Sequence, residues 1–261
     1  MIAICTVLVG GSVDFLIVPV VLFIFAGSLS RATFGFGEAL VAMPLLSLVV
    51  DVPVAAALVA LTSIFNAAVI LMTNWRTVEW QGAWRLTVAA LVGIPFGTYA
   101  LKYAPENAVK LVLALVVLSF AGYNLVRPQL GRLQSDSWGF VFGLIAGVLG
   151  GAYNAFGPAL VIYGTLRGWG AQKFRSTLQS VFFPASLFVG LMHMQFGFWT
   201  REVLLGYLPF CLPAMAFAAV LGQKLSARFD SQRFIRYVFY LLLVVGGMLV
   251  LSVVRSLLSG D

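Results

Sequence analysis

Ten apolar runs, almost free of charge and joined by short connections, restrict this chain to one kind of surroundings. With soft edges they cover 15–30, 36–50, 54–73, 83–101, 107–126, 138–152, 156–166, 178–195, 203–221 and 236–256. A helix rises about 1.5 Å per residue, so crossing a bilayer core takes about 20 residues. Six runs are long enough. The other four are short and form two pairs, 15–30 with 36–50 and 138–152 with 156–166, each joined by a glycine-rich stretch instead of a charged loop. Short apolar segments that stop at membrane depth read as broken helices or re-entrant hairpins. Hydrophobic residues make up 61% of the 261 and charged residues 10%, against about 45–50% and 25% in soluble domains. This balance excludes a soluble enzyme, a disordered chain and a nucleic-acid binder.

The basic residues assign a side to each connection. With the N-terminus outside, the inner side collects Arg31, Arg76, Arg85, Arg127, Arg132, Arg167, Lys173, Arg175, Lys224, Arg228, Arg233 and Arg236, and the outer side Lys102, Lys110, Arg201 and Arg255. This is the bias of the positive-inside rule. Arg31 counts as inner only if its hairpin crosses fully. Both termini are expected on the outer side of a bacterial inner membrane. Met1–Gly11 lacks a basic n-region and a small-residue cleavage site, and reads as retained chain. Cys5 and Cys211 form no disulfide or metal pattern, and one histidine with nine acids supplies neither a zinc site nor a catalytic triad. No enzyme activity, metal or cofactor is expected. There is no nucleotide-binding P-loop, so any driving force is a gradient.

The second half repeats landmarks of the first. Gly35-Phe36-Gly37-Glu38 and Pro44 answer to Gly150-Gly151-Ala152 and Pro158; Thr62-Ser63 answers to Ser176-Thr177; Gly97 and Gly122 answer to Gly222 and Gly247. Five segments per copy is an odd number, so the second copy is inverted relative to the first. The expected fold is an all-α integral membrane protein of two inverted repeats, 1–130 and 131–261. Each holds about five helical segments, with broken-helix or re-entrant hairpins whose tips meet near the midplane.

Two stretches carry a family resemblance. Phe34-Gly35-Phe36-Gly37 through Met43-Pro44-Leu45-Leu46, followed by Leu61-Thr62-Ser63, resembles the first motif of the sulfite exporter TauE/SafE family. Gly157-Pro158-Ala159-Leu160-Val161-Ile162-Tyr163, followed by Lys173-Phe174-Arg175-Ser176-Thr177-Leu178, resembles the second. The likeness covers roughly 20–255. It implies a multi-pass inner-membrane transporter for anions, often sulfur oxyanions or organosulfonates such as sulfite or sulfoacetate. The chain departs from the family pattern at Glu38-Ala39, where glycines usually continue, and at Phe156-Gly157-Pro158-Ala159, where Gly-Gly-Pro-Pro is common. The first departure sets a carboxylate where anion-binding backbone is expected.

Each candidate site residue has a plainer alternative. Glu38, inside an apolar segment, is either a carrier of a coupling proton or a first-turn acid that satisfies free backbone N–H groups. Arg31 either pairs with Glu38, holds an anion through its fork of donors, or anchors the inner side. Gly35, Gly37, Gly150, Gly151 and Gly157 are expected to form anion-binding backbone at the two tips, against close helix packing. Packing is the favoured reading for Gly97, Gly122, Gly222 and Gly247. Pro44 and Pro158 are expected at helix breaks or kinks, as hinges. Tyr153 and Asn154 at the second tip offer donors to an oxyanion or serve local turn chemistry. Thr62, Ser63 and Asn66, with Ser176, Thr177 and Ser180 as the matching set, contact substrate or bond between helices. Arg175 is an entrance residue or a snorkelling anchor. His193 is expected at the outer boundary, and the six tryptophans at segment ends. The reading is a secondary transporter for a small anion, with an anion channel or an intramembrane enzyme as its rivals.

Overall fold

The computed structural model describes residues 13–74, 78–126, 133–228 and 231–259. The described residues are helical throughout their ordered elements. In chain order these are α1 (Val13–Phe34), α2 (Glu38–Leu46), α3 (Val52–Asn74), α4 (Trp80–Tyr103), α5 (Glu106–Val126), α6 (Trp138–Tyr153), α7 (Gly157–Leu166), α8 (Ala171–Gln195), α9 (Leu208–Arg228, preceded by a π-helical turn, Glu202–Tyr207) and α10 (Ser231–Ser259). The expected all-helical membrane architecture is borne out. The stretch Met1–Gly11, with Cys5, lies outside the described residues, as do Trp75, Arg76, Arg127 and Arg132.

Seven helices are long and apolar enough to span a bilayer, one more than the apolar runs suggest. The extra span is Leu16–Phe34. The apolar run breaks at Ser28, Ser30, Arg31 and Thr33, yet the helix continues through them because all four are buried against protein. The first pair is therefore one full-length helix and one short one. The short helices α2 and α7, of 9 and 10 residues, are each about 15 Å long, half a hydrocarbon core.

The outer faces of the helices are apolar. Val88, Val92, Phe96 and Tyr99 on α4 and Tyr240, Val244, Met248 and Leu251 on α10 are all about half exposed or more. Exposure on this scale suits lipid, where no hydrophobic penalty applies, and would aggregate in water. Trp80, Trp84 and Trp138 sit exposed at helix starts, the place of an aromatic belt.

Packing between the halves is reciprocal. The fourth helix of the first half, α4, packs along α6, the first of the second half; α9, the fourth of the second, packs along α1. The third helices, α3 and α8, pair with each other, and so do the fifth, α5 and α10. The α4–α6 seam is backbone against backbone. A methyl group on Gly93, Gly97, Gly143, Gly147 or Gly151 would lie 2.0–2.6 Å from a carbonyl oxygen of the facing helix. Gly222 likewise touches Ala32 of α1. Gly122 and Gly247 differ from expectation: nothing lies within 4 Å of the Cβ position of either. Their helices turn those positions outward, so no close approach requires glycine there.

The reciprocity is broken in one place. The α10 residues Val238, Phe239 and Leu242 close on Gly37, Leu40 and Val41 at the start of α2. On the other side, α5 stands off from α6 and α7 across an apolar cleft of about 560 Å3 lined by Val112, Leu115, Phe120, Ile145, Pro158 and Ile162.

Candidate functional site

Two breaks in helical structure meet at mid-height of the bundle. The first, Gly35–Gly37, separates α1 from α2. Gly35 and Gly37 have φ of +85° and +99°, the left-handed region that glycine enters without penalty. Space enforces the same choice, because a Cβ would meet Arg175 Cγ at 2.9 Å from Gly35 and Ser30 Oγ at 2.8 Å from Gly37. The second break, Asn154–Phe156, separates α6 from α7. Here Asn154 takes the left-handed turn, with φ +53°; asparagine tolerates that region better than most residues. The turn returns the Asn154 N–H to the carbonyl of Gly150 and the Ala155 N–H to that of Leu149.

Between the breaks lies a cavity of about 20 Å3, lined by both tips and by Arg31, Ser63, Phe182 and Ser186. A water molecule needs roughly 10–15 Å3 by the same measure, so the space suits about one. Ser63 and Phe182 lie near the middles of α3 and α8, which places the cavity midway along these two long helices. The half-helices α2 and α7 both begin at its wall, and neither start carries a side-chain cap. Their first N–H groups are left without intrahelical partners and the positive ends of two helix dipoles converge there. In both respects the location suits an anion.

One buried ion pair dominates the site. Arg31 Nη1 and Glu38 Oε2 are 2.7 Å apart, and the side chains are 4% and 3% exposed. Glu38 Oε2 also accepts from Ser63 Oγ at 2.9 Å, and Oε1 from Asn66 Nδ2 at 2.8 Å. Asn66 in turn donates to Ser28 Oγ at 3.1 Å. Arg31 Nη2 donates to Gln179 Oε1 at 2.8 Å, its Nη1 reaches the Ser63 carbonyl at 3.4 Å, and its guanidinium lies 5.0 Å from the centre of the Phe182 ring. Gln179 closes the circuit by donating through Nε2 to the carbonyl of Gly35. Such density is what a buried pair requires, since desolvation of two charges is recovered only when geometry and hydrogen bonding are nearly complete. Among the described residues, Arg31 Nε, Asn154 Oδ1 and Ser186 Oγ are buried with no hydrogen-bond partner.

The structure brings Arg31, Gly37, Glu38, Ser63, Asn154 and Gly157 to the cavity wall. Gly35 and Asn66 stand directly behind it through Gln179 and Glu38. Other candidates are placed elsewhere. Gly150 lies beneath the Phe156 ring, where a Cβ would be 1.9 Å from a ring carbon, and Gly151 belongs to the α4–α6 seam. Tyr153 donates to the carbonyl of Val109 at 2.8 Å, tying the second tip to α5. Thr62 and Ser176 bond to carbonyls of their own helices, and Ser180 does the same. Thr177 Oγ1 accepts from the Glu79 N–H at 3.0 Å. Arg175 donates to the carbonyl of Ala32 at 3.1 Å and packs on Gly35, so it braces the first tip. Pro158 opens α7 just past the second break, and Pro44 lies inside α2 near its end; neither occupies a break itself. His193 is fully buried, with Nε2 3.0 Å from the carbonyl of Gly151 and its ring edge-on to Phe198. It is a packed residue in the last turn of α8. Sequence reasoning missed Gln179, Phe182 and Ser186, which carry no signal that separates them from ordinary helix residues.

A second polar cluster lies outside the spans. Asp136, ahead of α6, pairs with Arg85 of α4 at 2.9 Å and with Arg167 at the end of α7. Arg167 also donates to the carbonyls of Leu133 and Gln134. The Arg85 guanidinium beside it, helped by the charge of Arg167, holds the Asp136 carboxyl below the usual carboxylate range. Among the described residues no group of three or more His, Cys, Asp or Glu side chains is placed to hold a metal ion.

Comparison with known proteins agrees with these features. The family model described as "Sulfite exporter TauE/SafE" matches residues 2–250. A curated protein of Cupriavidus necator, the "Probable sulfite/organosulfonate exporter TauE", is 25% identical over 240 residues, covering 88% of this chain and 92% of its own. No solved structure matches. A match across nearly the whole chain, on a bundle of membrane-spanning helices, means that this protein belongs to the sulfite exporter TauE/SafE family of membrane anion transporters.

Proposed function

We propose that the chain is a secondary transporter that moves a small anion, a sulfur oxyanion or organosulfonate, across the inner membrane by alternating access at the cavity between the two tips. The convergence of two uncapped half-helix starts on buried Arg31 carries the reading. Backbone N–H groups of α2 and α7, Arg31, Ser63 and Asn154 supply donors to the oxyanion, and Glu38 is the protonatable group that couples anion movement to protons. Two inverted repeats, 1–130 and 131–261, supply the two access states. The reciprocal pairing of α4 with α6 and α9 with α1 supports this arrangement. So does the unequal closure of α10 on α2 and of α5 on α7, which is expected when a two-fold design is caught on one side of its cycle. A cavity sized for about one water favours a gated carrier over an open channel.

Uptake into proteoliposomes from a panel of labelled sulfite, thiosulfate, sulfonates and carboxylates tests the function. Saturable uptake with counterflow is expected for at least one sulfur anion; flux that never saturates favours the channel. Orientation is tested by single cysteines read with an impermeant reagent. A cysteine at Ser135 is expected to react only from the inner face and one at Glu106 only from the outer; the reverse would reject outer termini.

A further inference from the structure

The charges that the chain itself places at the cavity already cancel. Arg31 contributes one positive charge and Glu38 one negative, in direct contact. Among the described residues the ion pair of Glu38 with Arg31 is the only one it makes. From α3 come Ser63 and Asn66 and from the second tip Asn154, Ala155 and Phe156; beside the neighbouring Gly37, α5 brings Phe120 and α10 Val238, Phe239 and Leu242. On α8, Gln179 faces Arg31, and Arg175 lies behind Gly35 with its guanidinium on the carbonyl of Ala32. An anion arriving beside this pair brings an uncompensated charge into a low-dielectric interior, where like charges at contact distance repel strongly. Protonation of the carboxylate removes that repulsion.

Building on the transporter reading above, we propose that Glu38 is a tethered rival for the cargo. The transported anion takes Arg31 over from Glu38, and Glu38 yields by accepting one proton, so that one proton accompanies one singly charged anion. The proton is taken from water on the loading side onto a Glu38 carboxyl oxygen and returned to water on the other side, when the departing anion gives Arg31 back. The protonated carboxyl stays within reach of Ser63 and Asn66, and its O–H becomes a donor beside the bound oxyanion. Charge balance then defines the substrate class. A monoanion, such as hydrogen sulfite or a simple alkanesulfonate, restores neutrality. A dianion such as sulfoacetate leaves a negative charge over and is disfavoured.

The test uses the full chain in proteoliposomes with methanesulfonate, whose charge is constant across the pH range, and sulfoacetate. Net flux, proton movement and response to an imposed potential are recorded for wild type and Glu38→Gln. Wild type is expected to move methanesulfonate with one proton each and without response to potential. Its half-saturating concentration should rise with pH, by up to about tenfold per unit for one-proton linkage, and sulfoacetate should be at least tenfold poorer. Glu38→Gln should move methanesulfonate with no proton, with a response to potential, and with half-saturation flat in pH. Wild-type flux that carries charge without protons, protons moving opposite to the anion, equal use of sulfoacetate, or one-to-one proton linkage surviving in Glu38→Gln would each overturn the proposal. The wild-type stoichiometry decides the matter even if the variant does not fold. Wild type that moves none of these anions, nor any anion of the wider panel, refutes the transporter reading itself.

Discussion

A single methyl group at Gly147 should be enough to loosen the seam between α4 and α6. A Cβ there would sit 2.8 Å from Ala90 C and Cα and 2.1 Å from the Ala90 carbonyl oxygen, all inside the 3.4 Å at which ordinary contact begins. The obstructing atoms are helix backbone, so no side chain can rotate away. The two helices must part, and the contacts at Gly93, Gly97, Gly143 and Gly151 weaken with them. Overpacking of this kind costs about 1–3 kcal/mol, and more where the backbone cannot shift. Gly247→Ala is the matched control. Nothing lies within 4 Å of its Cβ position, and alanine in place of glycine in a helix gains about 0.5–1 kcal/mol. Both variants share that gain, so they should differ by the overpacking cost of about 1–3 kcal/mol, a few degrees in unfolding midpoint for a chain of this size. Thermal unfolding of the purified protein in mild detergent, followed by loss of the monodisperse peak, measures the gap. Equal midpoints for Gly147→Ala and Gly247→Ala would refute the backbone-contact account of the seam.

Further outcomes follow from the polar clusters. Gln179→Leu strands a guanidinium N–H of Arg31 and the carbonyl of Gly35; it should lower stability by about 1–3 kcal/mol per stranded group and slow anion uptake, measured together in detergent melts and proteoliposomes. Phe156→Ala removes the ring that covers Gly150 and faces Phe182, and should destabilise by about 3–5 kcal/mol in the same melt. Asp136 has a carboxyl pKa depressed on folding by Arg85 and Arg167, so its stabilising contribution is complete above the ordinary carboxylate pKa and is lost as pH falls through the lower folded value. The midpoint difference between wild type and Asp136→Asn should accordingly be constant at neutral pH and vanish only in strong acid; a difference that disappears near neutrality would contradict that depression.

The division into ten segments and the second short pair were legible because lipid imposes length and polarity on every span. Glu38 stood out for the same reason, as an acid inside an apolar run. Arg31 misled at the level of helix length. Its charge ended the apolar run, whereas the structure buries it by pairing it with Glu38 and Gln179. The glycines show a second limit. A glycine at a strained turn, as at Gly37, one that admits a neighbouring helix, as at Gly151, and one with open space, as at Gly247, look alike in sequence, because the difference lies in what faces them. Gln179, Phe182 and Ser186 were silent for a related reason. Gln179 and Phe182 take their meaning from Arg31, on a helix of the other half of the chain.

The α4–α6 seam has a mechanical consequence. Backbones locked at this spacing leave little slack, so any displacement of the hairpin α6–α7 would carry α4 with it, and the α1–α2 hairpin is tied in the same way to α9. Each of these packed units joins helices from the N-terminal and C-terminal halves of the chain. Severing the chain between α5 and α6 and supplying both fragments should therefore leave two interlocked partners that fold around each other, since neither fragment contains a complete packed unit.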